Sequence, residues 1–566
     1  MATNTMKKRT SLLLFSRLLV MTCSLLNLRA ATDFDVVVYG GTAGGVMTAI
    51  AAARNGARTA LLEPRAQIGG MVAGGLSGTD VGKREVIGGL ALEFYYRAGR
   101  AYGLERHQQE IAWMPEPKVA AALFRSMLQE AGVTLLEHHR LQEKTGVHKT
   151  GSRITELVME NGATIKGRVF ADASYEGDLM AQAGVSYTYG RESSAQYGES
   201  LAGVRAFTPS HQFSIDLPAR DESGRVYPEI STTPRGQPGS GDRRIQAYNF
   251  RVIATQDPAN RLPWAKPAGY DPKRYALLAR YLQAMTSYLG RPLQLNEISL
   301  LRVIPNGKVD LNNRGAFSTD YIGGSYGYPE GSYAERERIW ADHAGYQQGF
   351  YYFLATDPRV PAPLQAEINQ YGLAKDEFPH NDHWPDQLYI REGRRMIGVF
   401  VATQKDLQTD RTKDDAIGMG SYNSDSHNVQ RFINDQGFVE NEGDVQVAVQ
   451  PYQIPFGILV PRKNESTNLL VPVCFSASHI AYSSLRMEPQ YMILGHAAGI
   501  AAAAAARADI DVQATNVAAL KQQLQRESAI FERGLTFQET ALTLIRARYR
   551  APTPTGPRGY ERIAPK

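Results

Sequence analysis

Short apolar runs alternate with small-residue stretches from the first third of the chain onward. Asp35-Val36-Val37-Val38-Tyr39 is a short run centred on three β-branched valines, which predicts a buried parallel strand. That run passes directly into Gly40-Gly41-Thr42-Ala43-Gly44-Gly45, then into an alanine-rich helix over 46–55 closed by Gly56. Residues 58–62 predict a second strand, ended by Glu63. Further on, 117–131 predicts a helix, 133–138 a strand, and 154–169 a hairpin turning at Asn161-Gly162. Near the carboxyl end, 468–473 predicts a strand and 474–479 a loop. A long alanine-rich helix then starts at Glu488-Pro489, with proline in its first turn. Gly495 and Gly499 share one face of that helix and permit close backbone packing. The stretch 209–241 holds few large apolar residues and reads as an irregular insertion or lid. The tail over 546–566, rich in Pro, Arg and Lys, reads as poorly ordered.

Strand, glycine turn, helix, strand and acid is the order a dinucleotide-binding βαβ unit requires. The glycines let the backbone approach a pyrophosphate at the positive end of the helix. Glu63 stands where a carboxylate accepts hydrogen bonds from adenosine ribose hydroxyls, which favours FAD or NAD over NADP. Thr42 replaces the middle glycine of the GxGxxG pattern, and its hydroxyl is a candidate donor to a phosphate oxygen. The alternative for the whole turn is an ordinary strand-to-helix connection.

Composition changes the picture in two places. The 566-residue chain is 43% apolar with a formal net charge of +5, enough for two or three domains around a shared core. Lys7, Lys8, Arg9, Arg17 and Arg29 account for that whole charge, so the remainder has no electrostatic case for nucleic acid. The same leader has an apolar stretch over 11–26 and Ala30-Ala31 as a cleavage site, the anatomy of a secretory signal peptide over 1–30. Export to a periplasm or the extracellular space is therefore expected, with a lipid anchor at Cys23 the weaker alternative. No later segment is long and apolar enough to span a bilayer. Cleavage leaves Cys474 as the single cysteine, which excludes an intramolecular disulfide, a redox dithiol and a cysteine-based zinc site.

Several motifs resemble one family of FAD-dependent oxidoreductases within the glutathione-reductase-like FAD superfamily, some of whose members carry the label xanthan lyase. They are Tyr39-Gly40-Gly41-Thr42, Gly69-Gly70-Met71, Asp172-Ala173-Ser174-Tyr175-Glu176-Gly177-Asp178 and Gly190-Arg191-Glu192. Pro305-Asn306-Gly307-Lys308, Asn312-Asn313, Ser318-Thr319-Asp320, Leu388-Tyr389-Ile390-Arg391-Glu392, Asp425-Ser426-His427 and the run over 468–505 extend the likeness across 33–510. The resemblance implies FAD and redox chemistry, with the cofactor held by the 40–45 turn, Glu63, Gly69, Gly70, Met71, Asp172, Ala173 and Ser174. It adds Arg486 and Met487 at the entry of the last long helix, whose amino end it aims at the flavin. No metal site is expected.

The implied architecture is α/β with an α+β cap. A Rossmann-like FAD domain over 33–200 and 390–515 is interrupted by a substrate domain over 201–389 and followed by an extension over 516–566. Flavin chemistry needs a group to move the accompanying proton, and an imidazole suits that role. His479 and His427 lie in resembling motifs, with Asp425 or a neighbour as the group that fixes the His427 tautomer. Arg391, beside Arg394 and Arg395, is a candidate clamp for a carboxylate or a salt-bridge partner of Glu392. Cap aromatics such as Tyr321, Tyr328, Trp340 and Trp384 read as core, with sugar stacking as the alternative. The expected activity is a dehydrogenase or oxidase taking a hydride from a small sugar-derived or hydroxylated acid and passing electrons to an acceptor. A flavin monooxygenase and a carbohydrate-binding protein on a degenerate flavin fold are the alternatives.

Overall fold

The computed structural model describes residues 32–104 and 110–549. The leader, Cys23 and the last residues of the tail lie outside the described residues. β1 (Thr32–Tyr39), α1 (Ala43–Arg54) and β2 (Thr59–Glu63) form the amino-terminal βαβ unit, followed by α2 (Gly70–Gly74), α3 (Gly89–Ala101) and α4 (Pro117–Glu130). β3 (Thr134–Glu137), β4 (Val147–Thr150), β5 (Arg153–Val158) and β6 (Thr164–Asp172) complete the first segment. The sheet runs β3-β2-β1-β6-β5-β4. β3, β2, β1 and β6 are mutually parallel, whereas β5 runs antiparallel to β6, joined to it through the Asn161-Gly162 turn, and β4 runs antiparallel to β5. Val36, Val37 and Val38 are fully buried, which is why β1 carries no polar face and sits in the centre.

The cap is built around a second, antiparallel sheet. Its strands are β7 (Val252–Thr255), β8 (Arg261–Leu262), β9 (Ser299–Ile304), β10 (Lys308–Asn313) and β11 (Gly372–Ala374), in the order β8-β11-β7-β10-β9. Helices α5 (Ala276–Leu289) and α6 (Tyr333–Thr356) accompany it; Ser332 and Glu335 close a capping box at the start of α6. Tyr328, Tyr346, Phe350, Tyr351 and Trp384 are buried, so these cap aromatics are core. The stretch 209–241 forms no helix or strand, but it is stitched down where Ser231 N–H donates to Arg431 O and Val439 N–H to Leu217 O.

The chain then returns to the first sheet. β12 (Leu469–Leu470) pairs in parallel with β6 at Phe170 and Ala171, and α7 (His479–Leu485), α8 (Glu488–Ala508), α9 (Val517–Arg526) and α10 (Leu535–Arg548) follow. β12 is shorter than the 468–473 expected, because Pro472 has no N–H to offer the ladder. His479 does not lie in a loop: Ser478 caps a separate helix by accepting from Ala481 N–H, and His479 is that helix's first residue. α8 crosses α1 so closely that a Cβ on Gly495 would fall 2.1 Å from Gly44 O, and one on Gly499 2.2 Å from Thr48 O. The start of the tail is ordered, contrary to expectation. Arg546 pairs with Glu110, and the Tyr549 hydroxyl donates to Glu93 and accepts from Arg97 Nε at 3.0 Å. No helix among the described residues is long and apolar enough to cross a membrane.

Candidate active site

The carboxyl ends of β1 and β2 and the amino end of α1 open onto one cavity. Gly40, Gly41 and Thr42 line it from the turn, Glu63 from β2, Gly70 from α2 and Ser174 from the loop after β6; Arg336 and Trp340 of α6 close it from the cap. Gly40 has φ +101°, and a Cβ there would lie 2.6 Å from Ser174 N, so only glycine lets the turn pass this loop. Thr42 is the N-cap of α1, whose first turn is Ala43, Gly44 and Gly45. Its hydroxyl accepts from Gly45 N–H at 3.0 Å and donates to Ala173 O at 2.7 Å. This corrects the expectation of a hydroxyl–phosphate bond, because the single proton of that hydroxyl is committed to Ala173.

Glu63 faces the same turn. Its Oε2 accepts from Gly41 N–H at 2.7 Å and its Oε1 from Arg65 N–H at 2.8 Å. Enclosure by protein pushes this carboxyl up to about 7, against the pull of those two N–H groups. Gly69 ties α2 to the cradle by donating to Gly41 O at 2.7 Å, and Met71 N–H donates to the Tyr175 hydroxyl at 2.9 Å. Asp172 stands one layer behind the wall. Its Oδ1 accepts from Ser174 N–H and hydroxyl and its Oδ2 from Met180 N–H, so it shapes the loop that presents Ser174 and has no oxygen facing the cavity.

A second polar cluster lies where the cap meets the start of α8. His427 Nδ1 is 2.6 Å from Asp320 Oδ2, and the other oxygen of Asp320 is 3.0 Å from an Arg391 terminal nitrogen. Burial raises Asp320, but Arg391 and His427 outweigh it and hold this carboxyl at about 2. Burial and the Arg391 charge lower His427 against the pull of Asp320, so the ring is neutral at pH 7. Nδ1–H then donates to Asp320 and Nε2 keeps its lone pair, 3.9 Å from Asp425 Oδ1. The tautomer is thus set by Asp320, not by Asp425. His211, from the irregular 209–241 stretch, stacks on His427 with centroids 5.8 Å apart and is held by Asp444 at 2.9 Å.

Arg391 presents no free fork, which corrects the carboxylate-clamp reading. Its terminal nitrogens are committed to Ala247 O, Asn249 Oδ1 and Asp320, and only Nε lacks a partner. The Tyr389 ring lies between Arg391 and Arg486, 4.7 Å and 5.7 Å from the two guanidinium carbons. Arg486 donates to Tyr389 Oη at 3.0 Å and Asp425 O at 2.8 Å, joining this cluster to Met487, the N-cap residue of α8. At that helix start, Arg486 Nε, Glu488 Oε2 and both amide atoms of Gln490 are buried without a partner in the protein. A polar group such as FAD fits a cradle of this kind, which has glycine backbone at one end and unsatisfied polar atoms near the other.

His479 stands apart from the Asp320 pair. Its Nδ1 is 2.8 Å from Glu392 Oε2 and its N–H donates to Glu192 at 2.9 Å, while Arg395 binds both acids. Gln246 connects the two histidines, accepting from His427 N–H and donating to Glu392. Arg394 pairs with Asp178 and Glu330. Cys474 is a buried thiol whose burial raises it well above the ordinary range. The sequence places Asp320 and Tyr389 only inside resembling motifs and Glu488 only at a helix start, and it singles out neither His211 nor Gln490. Acid content in Ser318-Thr319-Asp320 was the one available signal; the pairing itself spans 107 residues. The three acids Glu116, Asp376 and Glu377 converge as a metal site would, but Lys308 Nζ sits among them at 2.6 to 2.7 Å.

Parallel strands, a glycine turn at a helix amino end and an acid closing the second strand define a dinucleotide-binding fold. The sequence model of the family described as FAD dependent oxidoreductase matches residues 35–524. The chain belongs to that family, and it is an FAD-dependent oxidoreductase. No curated protein matches the sequence. Among solved structures, a geranylgeranyl bacteriochlorophyll reductase-like protein from Thermoplasma acidophilum is 11% identical, with 91% of this chain and 88% of that one covered and a TM-score of 0.34. The anhydrotetracycline hydroxylase OxyS from Streptomyces rimosus is 15% identical over 33% of this chain and 43% of its own, with a TM-score of 0.21. L-proline dehydrogenase from P. horikoshii is 17% identical over 29% and 59%, with a TM-score of 0.22. The chain spans less than two thirds of the length of these last two.

Proposed function

We propose that the protein is an exported dehydrogenase or oxidase that removes a hydride from a carbinol carbon of a small hydroxylated substrate, such as a sugar or a sugar-derived acid. The observation that carries this reading is the buried Asp320–His427 pair beside Arg486 and the start of α8. Bound FAD supplies a two-electron acceptor. His427 Nε2 takes the hydroxyl proton as the carbon–hydrogen bond breaks. Asp320 holds the opposite N–H and stabilises the imidazolium that forms, and Arg391 keeps Asp320 ionised. His479 is assigned to position Glu392 and Arg395: it stands apart from the Asp320–His427 pair, in the ion network of Glu192, Glu392 and Arg395.

The test is anaerobic bleaching of the flavin by a panel of sugar acids, hydroxy acids and neutral sugars. At least one hydroxylated member of the panel is expected to bleach the wild-type protein, while His427→Asn retains FAD and is reduced about 10²- to 10⁴-fold more slowly. Normal reduction of that variant would remove His427 from the mechanism. Export rests on Lys7, Lys8 and Arg9, the apolar run after them and Ala30-Ala31. The intact mass of the secreted protein should correspond to a chain starting near residue 31, and a mature protein retaining its leader would overturn export.

A further inference from the structure

His211 reaches the site from the irregular 209–241 stretch, and its backbone is strained in doing so. It has φ +48°, in the left-handed region that residues with a side chain rarely adopt. Neighbouring side chains fix that conformation. The His211 carbonyl accepts from Asn441 Nδ2 at 2.8 Å and from Asn428 Nδ2 at 3.5 Å. The Gln212 side chain donates to Asn441 O at 2.6 Å and accepts from Asn441 N–H at 2.9 Å. Strain held this firmly by its surroundings collects at functional sites. The ring so presented lies 12° from parallel with that of His427, centroids 5.8 Å apart. His211, Asp320, Asn428 and Arg431 line one small cavity. The His211 side chain is 25% exposed, against 10% for His427 and 4% for Asp320, so of these three it is the one in touch with solvent.

The charges around His211 come from several segments. The carboxylate of the buried Asp444 has no hydrogen-bond or ion-pair partner among the described residues other than His211 Nδ1, at 2.9 Å. Asp320, backed by Arg391, and Asp425 add charge from the side of His427, and Arg431 faces the shared cavity. Burial lowers His211, but the Asp444 bond and the three acids outweigh it and raise the ring above its ordinary value. His427, lowered by burial and Arg391, is the neutral ring of the pair. Two stacked imidazolium ions repel, so a proton on His211 opposes one on His427.

We infer that His211 is a positioning residue of the proposed reaction, an imidazole carried by the 209–241 insertion and held by Asp444 against the face of His427, which governs whether His427 accepts the substrate's hydroxyl proton. Neutral His211 leaves Nε2 of His427 free to take that proton. Protonated His211 opposes the transfer until it releases its own proton to solvent. The reaction therefore slows toward acid pH as His211 gains its proton.

This inference rests on the role given to His427, and two readouts separate the failures. Wild type, Asp444→Asn and His211→Asn, each as the full chain with FAD bound, are isotope-labelled at histidine Cε1, and the imidazole resonances are followed from about pH 5 to 9. Asparagine keeps an oxygen acceptor at 444 and tolerates the left-handed backbone at 211; the resonances of the other histidines report that each variant is folded. His211 should titrate about one pH unit lower in Asp444→Asn than in wild type, and His427 about half a unit or more higher in His211→Asn. With a substrate from the bleaching screen, the acid limb of the flavin reduction rate should coincide with the titration of His211 in wild type. It should move down with that titration in Asp444→Asn, with the high-pH plateau kept within about threefold, and coincide with His427 itself in His211→Asn. An acid limb that stays in place in Asp444→Asn, or a His427 titration unmoved in His211→Asn, overturns the inference. A flavin that no compound reduces, with the His427 shift present, counts against the proposed function and not against the coupling of the two rings.

Discussion

Glu488 makes the pH dependence of stability a direct probe of the site. Its carboxyl is fully enclosed, and burial pushes it from 4.5 up to about 8 despite the hydrogen bond from Tyr175. Between those two values the unfolded chain has lost a proton that the folded chain retains. Stability contributed here therefore falls as pH rises from about 4.5 to 8, and is constant below and above that window. The span of the shift corresponds to roughly 5 kcal/mol, of which roughly 3 kcal/mol is already lost at pH 7. Glu488→Gln cannot titrate, yet its amide oxygen still accepts from Tyr175. Flavin-free wild type and Glu488→Gln should thus be equally stable to within the cost of the swap near pH 4.5. They should then diverge by several kcal/mol toward pH 8, with the variant the more stable. The assay is urea unfolding followed by tryptophan fluorescence at half-unit pH steps, comparing the first cooperative transition of each. Glu63 and Asp172, raised to about 7 and about 6 by burial, contribute slopes of the same sign, but these cancel in the difference. Parallel profiles for the two proteins would refute a neutral, enclosed Glu488.

Three other perturbations follow from the geometry. Asp320→Asn removes the carboxylate that fixes Nδ1–H of His427; flavin reduction by a substrate found in the bleaching screen should slow about 10²-fold or more with FAD fully retained, whereas loss of FAD would assign Asp320 to the cofactor instead. Lys308→Met leaves Glu116 and Glu377 buried without their counter-ion and should cost about 3–5 kcal/mol, seen as a lowered thermal midpoint; an unchanged midpoint contradicts the ion-cluster reading. Gly495→Ala drives a methyl to 2.1 Å from Gly44 O, so α1 and α8 must part, at about 1–3 kcal/mol and with faster FAD release. Gly345→Ala in the interior of α6, where an added Cβ meets nothing within 4 Å, is the control: it should stabilise by about 0.5–1 kcal/mol through helix propensity and leave FAD release unchanged.

The parts of the molecule readable in the sequence are those fixed over short spans. β1, the glycine turn, α1, β2 and Glu63 follow one another within a single βαβ unit, and Glu63 meets Gly41 only 22 residues away. The close crossing of α8 on α1 was visible as two glycines one turn apart. Short-range chemistry was also missed where one residue decided it: Pro472 cut β12 short, and Ser478 caps α7, a helix that begins at the last residue of the expected loop. The Asp320–His427 pair and the saturation of Arg391 by Ala247 and Asn249 depend on cap segments far away in the chain, for which residue spacing carries no information. Thr42 shows the same limit, since its hydroxyl is taken by Ala173, 131 residues on.

The central claim is that this fold holds FAD in the Gly40–Gly45 cradle and, as proposed, uses it to oxidise a hydroxylated substrate. Its most direct test is the visible absorption spectrum of the purified protein, recorded before and after anaerobic addition of the panel. The account predicts a flavin spectrum at one FAD per chain that bleaches with at least one hydroxylated compound of the panel and with none of its deoxy analogues. A colourless protein that takes up no added FAD, or a flavin that no member of the panel reduces, would contradict it.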